Sequence, residues 1–493
     1  MTMRHQLTLH TMLERARRYF PDREIVSRTG AGMFRYTYAD YHERTRRLAA
    51  ALTRLGVRRG DRVGTIAWNH HRHLEAYFAV PCMGASLHTV NLRLPPDHLT
   101  YVINHAGDRV LLVDPDVVPL VEAVQPRLET VEHYIIMADG PLPETRLSPV
   151  HSYEELLAAA SADYRFPDDV DEWAEAGMCF SSATTGLPKG VTYAHRAIYL
   201  HSMMVCMADT IGISEKDVCM PVVPMFHVNA WGLPFAALWM GAKQVLPGPR
   251  PDPHLLCQLI QDEKVTLAAG VPTVWMGVLQ AVEQKGYDLS SITRIACGGA
   301  APPRALIEAY ELKLGVPFLH AYGMTEGAPV THVSRLKSTL EDLPASERYA
   351  KKAKQGVLVP GLDMRVVNPD GAEVAWDGKG MGEMALRGPW IAGAYYNDER
   401  SAETFLDGWY YTGDVVTVDP DGYMQIVDRM KDLVKSGGSG SRRSTWRTRS
   451  WPTRKWPRPR WWRSTTRSGR SGPSPAWCRS PAPRSPQTRS RRS

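Results

Sequence analysis

Between Ser181 and Val191 the chain reads Ser-Ser-Ala-Thr-Thr-Gly-Leu-Pro-Lys-Gly-Val, set between the apolar runs Met178–Phe180 and Val191–Tyr193. Four hydroxyls (Ser181, Ser182, Thr184, Thr185), two glycines (Gly186, Gly190) and Lys189 share this short stretch. Small residues let backbone N–H groups close around an anion, hydroxyls add donors, and a lysine adds a point charge. Such a segment suits a polyphosphate. The same composition also describes a Ser/Thr/Gly-rich surface turn. The G-x-x-x-x-G-K-[ST] spacing of a P-loop is not met.

Five further groups carry chemistry. Tyr322-Gly323-Met324-Thr325-Glu326 places an aromatic ring, a hydroxyl and a carboxylate after an apolar run. Magnesium takes few protein carboxylates and completes its shell with phosphate oxygens and water, so one glutamate suffices. Cys297-Gly298-Gly299-Ala300-Ala301 follows a strand-like run, and its glycines permit close approach to a flat ligand. Tyr411-Thr412-Gly413-Asp414 puts a carboxylate after an aromatic strand, suited to accepting from both hydroxyls of a ribose. Asp428-Arg429-Met430-Lys431-Asp432 offers Arg429 beside it. Pro224 to Gly232 holds His227, Val228 and Trp231 in an apolar setting, where a buried core histidine is the plainer alternative.

In their order along the chain the motifs closely resemble those of the AMP-forming adenylating enzymes: acyl-CoA synthetases, luciferases and peptide-synthetase adenylation domains. The resemblance covers about residues 8–438. It implies that Ser181, Ser182, Thr184, Thr185, Gly186 and Lys189 hold the phosphates of ATP. Gly299, Ala300, Ala301, Tyr322 and Gly323 would line the adenine, Thr325 would lie near the α-phosphate, and Asp414 and Arg429 would grip the ribose. Magnesium would rest on Glu326 and Thr184, and the catalytic set would be Lys189, His227, Thr325 and Glu326. The acid would lie against His227, Val228, Trp231, Gly298 and Met324, with Trp231 closing its tunnel. Lys431 would be the hinge to a C-terminal domain. Ala183 departs from the family's glycine, and a Cβ at a position needing positive φ costs on the order of 1 kcal/mol.

The elements that must position these groups are legible as an alternation. Arg44–Leu55 reads as a helix, Arg62–Ala67 as a strand, Glu75–Gly84 as a helix and Ser86–Val90 as a strand. Strand-like runs recur at Leu267–Ala269, Arg294–Ala296 and Phe318–Ala321. This argues for an α/β fold of layered, mostly parallel sheets. Past Gly356 the pattern turns strand-rich with Gly/Asp turns, predicting a small β-barrel-like subdomain over about 356–428. The adenylation domain is thus expected to span 1–428, followed by a hinge remnant over 429–438.

Composition breaks after Gly438. Residues 439–493 contain 15 Arg, one Lys and six of the 14 Trp, but no Asp, Glu, Val, Ile, Leu, Met, Phe or Tyr. Removing that +16 from the overall +7 leaves −9 for residues 1–438, so the body is acidic and only the tail is basic. Such a tail cannot bury a core and is expected to be disordered. Read one base out of frame, GC-rich codons for Ser439–Arg449 can spell Glu-Trp-Ile-Ser-Ser-Val-Asp-Leu-Glu-Asn-Ala, which is similar to what acyl-CoA synthetases carry after Lys-Ser-Gly-Gly. The tail is therefore read as a frameshifted replacement of the family's C-terminal α+β domain. Arg/Trp binding to nucleic acid is the remote alternative.

The 493 residues include seven scattered cysteines with no C-x-x-C pair, no apolar run long enough to span a membrane and no signal-peptide core, pointing to a reducing cytoplasm. The function implied is ATP-dependent activation of a medium- or long-chain fatty acid, or a similarly apolar acid, through an acyl-adenylate to its CoA thioester. The co-substrates are ATP and CoA, and the ion is magnesium. Aryl-CoA ligase and fatty acyl-AMP ligase are the alternatives. Partners are small molecules and no specific nucleic acid, with a homodimer left open. Without the C-terminal domain, thioester formation by this chain is expected to be impaired.

Overall fold

The computed structural model describes residues 3–181 and 186–429. Ser182, Thr184, Thr185, Lys431 and the basic tail lie outside the described residues. Two large sheets and one small one organise the rest. The first sheet has seven strands in the order Val150–Ser152, His133–Ile136, Asp108–Val113, Arg62–Ile66, Ser86–Thr89, Glu175–Phe180 and Gly190–Ala194. It is parallel except for the last pair, which is antiparallel. The second has nine strands in the order Val357–Leu358, Val330–Ser334, Phe318–Gly323, Arg294–Cys297, Leu267–Gly270, Val218–Pro221, Lys243–Leu246, Glu24–Thr29 and Gly32–Thr37.

The central strands of both large sheets are buried on both faces, which is why they read as apolar runs and not as alternations. Val63, Val110 and Leu112 of the first sheet and Ile25, Leu246, Ala269 and Ala296 of the second share one core with the helices Leu9–Tyr19, Tyr38–Arg54, His71–Cys82 and Leu233–Met240. Neighbouring strand residues face outward. Ile66, Leu111 and Val113 pack under Pro96–Ala106, while Val26, Val245 and Ile295 pack under Pro253–Glu263 and Pro272–Lys285. Helices therefore form one layer between the sheets and cover the far side of each. Layered α/β was the expectation from the alternation.

Boundaries moved where caps decide them. The helix expected from Arg44 begins at Tyr38, because Thr37 and Asp40 form a capping box: Asp40 N–H donates to Thr37 Oγ1 at 3.2 Å and Thr37 N–H to Asp40 Oδ2 at 2.9 Å. The helix expected from Glu75 starts at His71, capped by the His70 ring, which accepts from His73 N–H at 3.3 Å. It is buried all round, and its charged Arg72 and Glu75 are taken up by ion pairs with Glu154 and Arg44.

The third sheet is antiparallel. Asp363–Val367, Gly382–Arg387, Trp409–Val418 and Met424–Arg429 pair in turn, and Phe405–Leu406 also pairs with Trp409–Val418, on the side away from Gly382–Arg387. Its core is Val366, Met384, Leu386, Val416, Val418 and Met424. Ion pairs fasten it to the body. Asp419 accepts from Lys351 at 2.7 Å and from Lys354 at 2.6 Å, on the turn that ends the strand carrying Asp414.

Five buried histidines make the fold acid-sensitive. Burial pushes His73, His195 and His320 down to about 4, and His201 and His332 down to about 3. The unfolded chain takes these protons near pH 6.5. Between that pH and the folded values the unfolded state binds more protons, so stability falls as pH drops, by up to about 1.4 kcal/mol per pH unit for each ring. Thermal unfolding from pH 7 to 4.5 is expected to show Tm falling steadily below about pH 6.5. A flat profile would mean that the rings already reach water.

Candidate active site

The strands Arg294–Cys297 and Phe318–Gly323 end on the same side of the second sheet, the side where ligands bind in open parallel sheets. There the chain leaves a cavity of about 720 Å³. All three sheets contribute to its walls. The first supplies Ser181, Leu187 and Lys189, the second Gly299, Tyr322, Gly323, Met324, Thr325 and Glu326, and the third Asp414 and Arg429. His227, Val228 and Trp231 also line it.

The Ser/Thr/Gly loop joins two antiparallel strands, Glu175–Phe180 and Gly190–Ala194, and its neck is closed on both sides. Ser181 N–H donates to Lys189 O at 2.9 Å, and Lys189 N–H donates to Ser181 Oγ at 3.2 Å. Gly186 has φ +81°, a left-handed value that a side chain would strain. From strand Gly190–Ala194, Tyr193 donates its hydroxyl to Thr325 O at 2.7 Å, locking the loop's exit strand to the Tyr322–Glu326 motif.

At the third-sheet end, Asp414 is buried and held from two sides. The Tyr322 hydroxyl donates to Oδ2, and Arg429 Nε lies 3.0 Å from Oδ1. Burial, reinforced by the Asp414 charge, pushes the Tyr322 phenol well above its usual range, so it remains a donor. The motif separated by more than ninety residues from Asp414 is thus bonded to it directly.

Glu326 and Thr325 are each 7 % exposed and sit on the cavity wall. Glu326 Oε1 accepts from the Tyr395 hydroxyl at 2.7 Å. Among the described residues no group of three or more His, Cys, Asp or Glu is placed to hold an ion by itself. A single carboxylate across the cavity from Lys189 nevertheless fits magnesium, which draws most of its shell from phosphate and water.

The apolar end is built on an unusual turn. Val228, Asn229, Ala230 and Trp231 have φ of 40°, 53°, 46° and 61°, and Gly232 continues at 77°. Non-glycine residues in this region cost roughly 1–2 kcal/mol each. The turn is anchored by Asn229 Oδ1, which accepts from Thr89 Oγ1 at 3.5 Å and from Cys179 Sγ at 3.6 Å. It lays the Trp231 ring against Gly298, where an added Cβ would meet that ring at 3.0 Å and Ala321 O at 2.5 Å. The adjacent His227 is lowered below its usual range by burial first and by the Arg93 charge second, so its ring is held neutral.

Not every expected residue reaches the cavity. Gly298 backs Trp231, Gly186 sits on the loop, and Ala300 and Ala301 are exposed on the following turn; none of the four lines the wall. Conversely, Glu383, Tyr395, Arg400, Tyr410 and Tyr411 line it and were not singled out from the sequence, apart from Tyr411 as a flank of Asp414. Glu383 accepts from Gly413 N–H at 3.1 Å, and burial raises its carboxyl above the usual range. Arg400 donates to Leu187 O at 3.1 Å and pairs with Asp398.

Comparison with known proteins agrees with this architecture. A model of the family described as AMP-binding enzyme matches residues 13–396. The chain is 49 % identical over 439 residues to the long-chain-fatty-acid–CoA ligase of Thermus thermophilus, covering 88 % of this chain and 79 % of that one. It is 41 % identical over 438 residues to the medium-chain-fatty-acid–CoA ligase of Ectopseudomonas oleovorans, covering 88 % and 80 %. Among solved structures, an anthranilate CoA ligase in complex with anthranoyl-AMP superposes with a TM-score of 0.77 at 25 % identity, over 87 % of this chain and 79 % of that one. The chain belongs to the AMP-binding enzyme family.

Proposed function

We propose that this cavity activates a fatty or similarly apolar carboxylic acid as its adenylate. The chain is an AMP-forming acid–CoA ligase. The observation that carries the site reading is convergence: one cavity is lined by Lys189, by Thr325 and Glu326, by the Tyr322–Asp414–Arg429 cluster and by the His227–Trp231 turn.

In this reading the ribose hydroxyls of ATP donate to Asp414, whose carboxylate Tyr322 and Arg429 already orient. Lys189 and the loop N–H groups face the phosphates and stabilise the charge that develops as the acid attacks the α-phosphate. Magnesium, when bound, neutralises part of that charge, and Glu326, with Thr325 beside it, would hold it; Thr184 belongs to the same proposal. The neutral His227 ring lies where the acid's carboxylate would enter, and the apolar chain runs toward Val228, Trp231 and Met324. The thiol of CoA then displaces AMP. Lys431 is proposed as the hinge for that second step. The Arg/Ser/Pro/Trp tail offers no recognisable motif for it, so thioester formation by this chain is proposed to be slow.

Small-molecule partners follow from the family, and among the described residues no helix is long and apolar enough to cross a membrane. The six described cysteines are free thiols, and a cytoplasmic protein without specific nucleic-acid binding completes the proposal.

The test is acid-dependent pyrophosphate release across a panel of alkyl and aryl acids. Highest turnover with medium or long alkyl acids is expected; a preference for aryl acids would favour the aryl-CoA reading. Trp231→Ala should lengthen the preferred acid. Two further buried methylenes at about 0.8 kcal/mol each would shift the ratio of kcat/KM for long over short acids by about tenfold. An unchanged ratio would remove Trp231 from the acid end.

A further inference from the structure

We propose that Tyr395 is a positioning residue that holds the phosphate-facing lysine and the ion-facing carboxylate at a fixed separation, one on its ring and one on its hydroxyl. The proposal rests on the nucleotide reading of the cavity. Lys189 Nζ lies 4.2 Å from the centre of the Tyr395 ring, and the hydroxyl of the same side chain donates to Glu326 Oε1 at 2.7 Å. A phenol is rigid, so contacts at its face and at its tip tie the two charged groups to one geometry. Preorganisation of this kind is what a site needs when it stabilises charge that appears only during reaction.

The backbone around Tyr395 is stapled to the same two places. Ala392 N–H donates to Glu326 O at 2.8 Å, and Tyr396 N–H donates to Gly190 O, immediately after Lys189, at 2.8 Å. Tyr395 N–H donates to Ser401 Oγ at 2.9 Å, and its ring packs edge-on against Phe405 at 5.1 Å. The segment therefore bridges the loop of the first sheet and the carboxylate strand end of the second, with Tyr395 between the staples and 5 % exposed.

A competing carboxylate lies nearby in Asp398. Asp398 is held below its usual range by Arg400 first, and the Lys189 charge contributes to that lowering. A lysine on a flexible four-carbon stem drifts toward the nearest fixed anion. The Tyr395 face offers its ammonium an alternative that keeps it at the cavity wall. Loss of the ring should let Lys189 collapse toward Asp398, and loss of the hydroxyl alone should free Glu326 to change rotamer.

Two variants of the full chain separate these loads. Tyr395→Phe keeps the ring and removes the hydroxyl; Tyr395→Leu removes both. Calorimetric titration with ATP, with and without magnesium, and with AMP is the measurement. Tyr395→Phe is expected to bind metal-free ATP and AMP within about twofold of the parent, while the magnesium concentration for half-maximal ATP binding rises at least about threefold. Tyr395→Leu is expected to bind metal-free ATP about tenfold more weakly, with AMP within about twofold. Parent-like ATP and magnesium titrations in both variants would overturn the proposal. So would an equal loss of ATP and AMP in Tyr395→Leu, which marks a merely structural residue. A parent chain that binds no ATP would overturn the nucleotide reading itself, and Tyr395's role with it.

Discussion

Asp414→Ala is expected to weaken ATP and AMP by the same factor, about 100-fold, while leaving the apolar acid end untouched. The carboxylate is buried, and it already accepts from Tyr322 and Arg429. Its removal deletes the proposed acceptor for two ribose hydroxyls and strands both partners. Hydrogen bonds to a charged group contribute about 1.5–3 kcal/mol each, and about 3 kcal/mol in total corresponds to about two decades of affinity. Asp414→Asn keeps the shape and one acceptor oxygen for Tyr322, and should cost nearer tenfold. Calorimetry with both nucleotides checks the assignment. A loss confined to ATP would move Asp414 from the ribose to the phosphate end.

Lys189→Ala is expected to slow acid-dependent pyrophosphate release by roughly 10²–10³, the usual cost of removing one preorganised charge from a transition state. The acid itself should bind normally, because its end of the cavity is built from a different turn. Lys189→Arg should recover only part of the rate, since a guanidinium can stack on the Tyr395 ring but spreads its charge over a planar fork, whereas the ammonium presents a compact point charge to the phosphates. Rapid-mixing measurement of the first turnover isolates this step from product release. A fall below about threefold would shift the charge stabilisation to Arg400, the other cation on this part of the wall.

What could be read in the sequence was whatever is local. The loop of Ser181–Val191, the Tyr322–Glu326 motif and the approach to Asp414 each fall within a few consecutive residues, so they stand out as strings, and their resemblance to the family's motifs, not spacing alone, is what suggested their roles. The central strands were legible for a related reason, because burial on both faces leaves continuous apolar runs. Tyr395 was not legible. Its partner Glu326 is 69 positions away, and nothing in Ala-Tyr-Tyr-Asn-Asp announces a bridge. The left-handed turn at Val228–Trp231 was hidden too, since glycine, the usual sign of positive φ, appears only at its end. The early start of the helix at His71 depends on a histidine cap, which is not among the common N-cap signals.

The pairing of strand Glu24–Thr29 with Lys243–Leu246 has a consequence for the order of synthesis. The hairpin made by the first forty residues completes the second sheet, yet the strand it pairs with leaves the ribosome more than two hundred residues later. At about 5–20 residues per second that wait lasts roughly 10–40 s. During it, a hairpin with apolar Ile25 and Val26 carries an unpaired edge, the kind of surface that other nascent chains can extend. The N-terminal segment therefore gains from a holding chaperone during that wait. A version synthesised with the hairpin moved next to Lys243 would shorten that exposure from tens of seconds to about one or two.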